Sequence, residues 1–128
     1  MSSMLIHVDN VPMAIAGSDR ERVIENLREL KDDVWELKSE NTKRAYQYDF
    51  NQYLAFCKDN ALPAMASDVN VTKATCRAYL DYLMSTKLKH HTIRRKIASV
   101  RYFIGVSELP DPWKQSKLFA EYTNHKIN

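Results

Sequence analysis

KLKHHTIRRKIASVRYFIG, residues 87–105, holds the pattern from which the fold is read. Ile93, Ile97, Val100 and Ile104 recur at steps of 4, 3 and 4, which is one face of an α-helix. The spacing predicts a helix that starts near His91–Thr92 and ends by Gly105. With the apolar stripe turned inward, Arg94, Arg95, Lys96, Ser99 and Arg101 fall mostly on the remaining arc. The first ten residues, 87–96, carry five Lys/Arg and no acid. A solvated helix normally mixes signs, so a one-sign block inside a folded segment points first to a polyanion.

Working outward, the neighbouring segments are helical too. Ahead of the basic block, Cys76, Leu80, Leu83 and Met84 mark a third helix over about 72–86. NALPAMAS (60–67) is a loop broken by Pro63. Before it, SENT (39–42) opens a second helix with Ser39 or Asn41 as cap, and Tyr46, Phe50, Tyr53, Leu54 and Cys57 line one face to about Asp59. A first helix runs from a cap at Ser18 or Asp19 to about Lys38, with Val23, Leu27, Leu30, Val34 and Leu37 as its stripe. Residues 1–17 have no clear period and are expected to be a flexible arm. After the basic helix, ELPDP stops the chain and Asp111–Pro112 opens a short fifth helix to about Tyr122. Residues 18–124 therefore read as one all-α bundle of about five helices, and 125–128 as a tail. No strand, repeat or low-complexity tract is evident.

Composition narrows the function. The 128 residues, 45% hydrophobic and 27% charged, allow one soluble globular domain and no second one. No apolar run approaches the roughly 20 residues of a membrane span, and MSSMLIHVDN lacks the features of a signal peptide, so an intracellular chain is expected. Two glycines are too few for phosphate-cradling loops. Cys57 and Cys76 are too few for a disulfide framework and lack CxxC spacing, so they read as reduced core residues; no metal or other cofactor is expected. The net charge of +3 hides an asymmetry: residues 1–40 hold 5 Lys/Arg against 9 Asp/Glu, and residues 41–128 hold 14 against 7.

A helix of about 13 residues is about 20 Å long, and the major groove of B-DNA admits one. Arginine donates two hydrogen bonds to guanine or one to a phosphate, and lysine mainly neutralises phosphate. A threonine at a helix start leaves backbone amides facing a phosphate. The second helix repeats the theme with Asn41, Thr42, Lys43, Arg44 and Gln47 near its start. Two polar, basic helix openings suit docking across a duplex.

SENTKRAYQYDFNQYLAFCKDN (39–60) and RAYLDYLMSTKLKHHTIRRKIASVRYFIGVSELPDP (77–112) resemble, in content and spacing, the N-terminal SAM-like core-binding domain of tyrosine recombinases, the phage integrases, most of all the Cre type. The shared features are the Ser/Asn–Thr helix opening, Phe56–Cys57, the Tyr-Leu-x-Tyr-Leu of helix three, the Leu-x-x-x-Thr-Ile start of helix four, and the Gly-x-x-x-Leu-Pro turn. VPMAIAGSDRERVIENL (11–27) is similar to the arm and first helix of that type. The resemblance implies a helical bundle whose second and fourth helices enter adjacent major grooves. A separate catalytic domain would clamp the other side of the duplex. By position, Thr42, Lys43 and Arg44 would meet DNA from helix two. His91, Thr92, Arg95 and Ser99 would do so from helix four, with Lys87, Lys89, Lys96 and Arg101 on phosphates. The first and fifth helices of Cre-like proteins also join neighbouring recombinase subunits on DNA. Ile24, Trp35, Trp113, Leu118, Phe119 and Tyr122 are the apolar residues such a surface would use, although ordinary packing accounts for each equally well. The implied partners are double-stranded DNA and other recombinase subunits, with no membrane and no small-molecule substrate, in a cytoplasmic, nucleoid-associated setting.

Catalysis is not expected of this chain. Tyrosine recombinases use a tyrosine nucleophile, with arginines, a lysine and histidines stabilising the phosphate. His91-Thr-Ile-Arg94 followed by Tyr122 imitates part of that set, but it lies in the stretch matching the DNA-reading helix. Arg22-Val-Ile-Glu25 is explained as a surface pair at i,i+3. No room for a catalytic domain follows residue 112, which implies a fragment or shortened form of a longer recombinase. A protein-interaction adaptor that uses the acidic first helix and the apolar fifth is the alternative. A helix-turn-helix repressor fits the long aromatic second helix poorly. The DNA reading requires that Thr42 and Arg95 turn to the same side, and that Arg94 and Arg95 stay clear of internal carboxylates.

Overall fold

Ser39 accepts a hydrogen bond on its side chain from the amide of Thr42 (3.2 Å), and from that cap the longest helix of the chain runs over Glu40–Asp59. A computed structural model describes residues 6–30 and 33–114, with five helices among them: α1 (Ser18–Glu29), the single turn α2 (Asp33–Glu36), α3 (Glu40–Asp59), α4 (Val69–Met84) and α5 (His90–Val106). The architecture is all-α, as the periodicity predicts. One isolated parallel bridge, Ala14 to Ala66, is its sole extended pairing among the described residues.

The most extensive packing joins α3 to α5. Phe50 stacks on Phe103 with ring centroids 4.6 Å apart, and both are fully buried. Ile93, Ile97, Val100 and Ile104 all turn inward, so the stripe of the basic helix faces the core as its spacing requires. Leu80 and Leu83 close the core from α4, and Val23 and Leu27 from α1. Each such side chain contributes about 1.5–3 kcal/mol of burial.

Three expectations are corrected. The first helix does not run to Lys38. Leu30 adopts a left-handed backbone (φ 49, ψ 45) and ends α1, and the new direction resets the phase of the stripe. Trp35 then goes inside, 5.7 Å from Tyr102 and 5.5 Å from Phe103, whereas Val34 and Leu37 are 56% and 87% exposed. The helix also starts without a side-chain cap: Gly17, at φ 55, supplies the positive φ that a Cβ would disfavour.

Nor is the segment before residue 18 a free arm from residue 6 onward. Ile6, Val8, Val11 and Ile15 are buried, the Ala14 amide donates to the Met65 carbonyl (2.9 Å), and the Ser67 amide to the Ala14 carbonyl (3.1 Å). The His7 amide adds a bond to Asn51 Oδ1 on α3 (2.7 Å). Finally, α4 begins three residues early because Asp68 caps it, accepting from the Asn70 amide at 2.9 Å. Of the expected fifth helix, the described part at 112–114 is a turn, with Asp111 Oδ1 accepting from the Trp113 amide (2.9 Å); the rest lies outside the described residues.

Candidate nucleic-acid interface

Asp49 sits on the inward face of α3, three residues after Tyr46 and four before Tyr53, and is fully buried. A bare carboxylate there is costly, and α5 supplies its partners. Arg95 donates from Nε (2.8 Å) and Nη2 (3.2 Å) in a two-pronged pair, and Lys96 Nζ donates at 3.1 Å. These hydrogen bonds hold the Arg95 guanidinium charged, its pKa raised above the ordinary arginine value. Lys96 Nζ also donates to Gln52 Oε1 and lies 5.5 Å from the centre of the Tyr48 ring. Gln52 Nε2 in turn donates to the Tyr48 hydroxyl (3.0 Å). Ser99 Oγ completes the seam, donating to the Tyr46 carbonyl at 2.6 Å.

These pairings run in opposite directions along the two helices, Lys96 meeting Gln52 and Ser99 meeting Tyr46. The first turns of α3 and α5 therefore lie toward opposite ends of one strip, not side by side. Thr42 precedes Asp49 by two helical turns, about 10 Å along α3. The requirement on Arg95 fails: it is engaged by a buried carboxylate. Its fork spends two of the guanidinium's five N–H groups, and the side chain remains 44% exposed.

The expected contact residues divide accordingly. Arg44, Lys87, Lys89 and His91 are exposed, and Thr92 is half-buried in the first turn of α5. Lys89, at the cap of α5, supplies no side-chain hydrogen bond to it. Thr42 belongs to the cap of α3, its amide and its hydroxyl both bonded to Ser39 Oγ. Lys43 leans toward Glu40 (3.7 Å) and Glu36 (4.0 Å). Arg101 pairs with Asp111 at 2.8 Å yet is 55% exposed. Two expectations are overturned by burial: Lys96 and Ser99 face α3, because each occupies a position that repeats the inward stripe of α5. Tyr48, Gln52 and Asp49, which join the strip, are not among the contact residues expected from the sequence. The signal was present, since Asp49 and Lys96 both fall at i±3 or i±4 of stripe residues.

For the apolar surface, Trp35 and Trp113 are buried and Ile24 is half-buried against the core; Leu118, Phe119 and Tyr122 lie outside the described residues. A groove of about 890 Å³ runs between α1 and α5, bordered by Asn26, Val34, Ala98, Gly105 and Trp113. The Trp113 Nε1 is buried and has no hydrogen-bond partner among the described residues. Arg22 pairs with Glu108 (2.6 Å) and Asp19 (3.6 Å), so its surface role stands with partners other than Glu25. Cys57 and Cys76 are free and buried, and both interact with the Tyr53 hydroxyl, which donates to the Ala64 carbonyl at 2.7 Å. Among the described residues no three His, Cys, Asp or Glu side chains converge as metal ligands would, and no helix is long and apolar enough to cross a membrane.

A comparison with protein families matches residues 27–106, more than half of the chain, to "phage integrase, N-terminal SAM-like domain". No curated protein and no solved structure matches the chain.

Proposed function

Because the chain belongs to the phage integrase N-terminal SAM-like domain family, we propose that it binds duplex DNA as the core-binding module of a tyrosine recombinase. Strand cleavage and rejoining are assigned to a separate catalytic domain of such an enzyme. The family match carries this reading even though the requirement that Arg95 stay clear of an internal carboxylate fails; the seam between α3 and α5 supports it because the fork leaves Arg95 partly exposed. Arg95 is fixed there by Asp49, with exposed Lys89 and His91 at the start of α5; exposed Arg44, near the start of α3, borders a groove beside Gln47 and Asn51. Cations held at helix spacing along a ridge can follow a phosphate backbone, and the Arg95 edge left open by its fork can donate to phosphate or base.

Fluorescence anisotropy with a labelled duplex tests the proposal. At low salt the chain binds, and log K falls with log salt by about 0.9 per phosphate contact. Arg44→Ala and Lys89→Ala weaken all duplexes alike and each lower that slope by about 1. An absence of binding to every duplex at low salt refutes the reading.

We further propose that neighbouring recombinase subunits meet at the groove between α1 and α5, which the exposed Val34 at its border favours. The same feature supports the adaptor alternative. Sedimentation separates the two: self-association only with DNA present favours recombinase assembly, and a tight complex without DNA favours the adaptor.

A further inference from the structure

The hydrogen-bond polarity of the cluster around Asp49 identifies contact residues that the resemblance does not supply. Lys96 can only donate, so the Gln52 atom facing its ammonium is the amide oxygen, and the amide NH2 is thereby turned toward the Tyr48 hydroxyl. That hydroxyl accepts from Gln52 at 3.0 Å, which leaves its own proton to be given elsewhere. Arg95 directs two N–H groups at Asp49 and keeps three. Tyr48 and Gln52 are exposed, Arg95 is 44% exposed, and all three are tied together through the buried Asp49 and Lys96. The cluster thus has donors to offer outward, the Tyr48 hydroxyl proton, a second Gln52 amide N–H and three Arg95 N–H groups, and its charges are two cations against one carboxylate.

We propose that Tyr48, Gln52 and Arg95 form a preoriented donor seat for the phosphate oxygens of a DNA strand, with Asp49 and Lys96 as the positioning residues beneath it. This rests on the DNA-binding reading and adds two contact residues to it. A phosphate oxygen is an acceptor with negative charge, which matches a surface of donors with one uncompensated positive charge. Because the side chains are already held by one another, little rotamer freedom is lost when the strand docks.

Gln52→Glu tests the seat directly. The new carboxylate still accepts from Lys96, so the fold keeps its contact, but the outward N–H becomes a negative acceptor. Tyr48→Phe removes the hydroxyl proton and leaves the ring over Lys96. With the full chain and anisotropy at low salt, Gln52→Glu is expected to weaken binding to all duplexes by about tenfold or more, and Tyr48→Phe by about threefold, with unfolding temperatures near that of the parent. If the parent binds and both variants bind as tightly, the seat is wrong while the DNA reading stands. If the parent binds no duplex, both fall together.

Discussion

Asp49 shares its two oxygens between consecutive residues of α5, and the arrangement is unforgiving in one direction. The Arg95 side chain is 44% exposed, whereas the Lys96 side chain is only 7% exposed. Asp49→Ala leaves that ammonium buried without its charge partner and is expected to cost about 3–5 kcal/mol in urea unfolding; replacing Asp49 and Lys96 together by Leu and Met recovers most of it. The other buried polar residues act through pH. Burial pushes the Cys57 thiol from its usual 9.0 up to about 12, opposed in part by its hydrogen bond with Tyr53. Burial also raises Cys76, Tyr53 and Tyr79. The unfolded chain gives up these protons first, so the stability they contribute is full below about pH 9 and drains as pH climbs toward 12. Urea unfolding between pH 7 and 11 is expected to show that loss, by about 1.4 kcal/mol per pH unit for each group that titrates only when unfolded. Cys57→Ala is expected to make the decline shallower. Below pH 9 both thiols stay protonated and unreactive toward alkylating agents in the native state.

Helix ends supply the next level of control. Ser39→Ala removes the cap of α3 and is expected to lower stability by about 1 kcal/mol, read as a fall in unfolding temperature. Gly105 lies within α5 where an added Cβ meets nothing within 4 Å, so Gly105→Ala is expected to raise stability by about 0.5–1 kcal/mol. Such local rules explain why α3 and α5 were legible: a Ser cap, a period of 3.6 and a stripe of Ile and Val each report on one stretch of chain. The break at Leu30 was not legible for the same reason. Val34 and Leu37 continue the spacing of Val23, Leu27 and Leu30, and a periodic count carries no sign of a left-handed residue that rotates everything after it. The dibasic pair at 95–96 read as surface because like charges usually are; only the facing Asp49, 46 residues away, turns it into a clasp.

At the scale of the whole molecule, the segment from residue 6 to 15 is part of what holds the bundle shut. Deleting residues 1–15 is expected to lower the unfolding temperature and speed proteolysis, since Ile6, Val8, Val11 and Ile15 leave the core and the loop at 64–67 loses its backbone partners. A free arm would give no change in either measurement. This packing escaped the sequence because a short run with no period leaves no mark of the surface it covers. The two tryptophans have a practical use. Trp35 lies against Tyr102 and Phe103 of α5, Trp113 beside the end of the same helix, and no other indole exists in the chain. Ultraviolet emission from the unlabelled protein is thus a built-in optical gauge of one helix, able to register what happens to its far side without any dye attached.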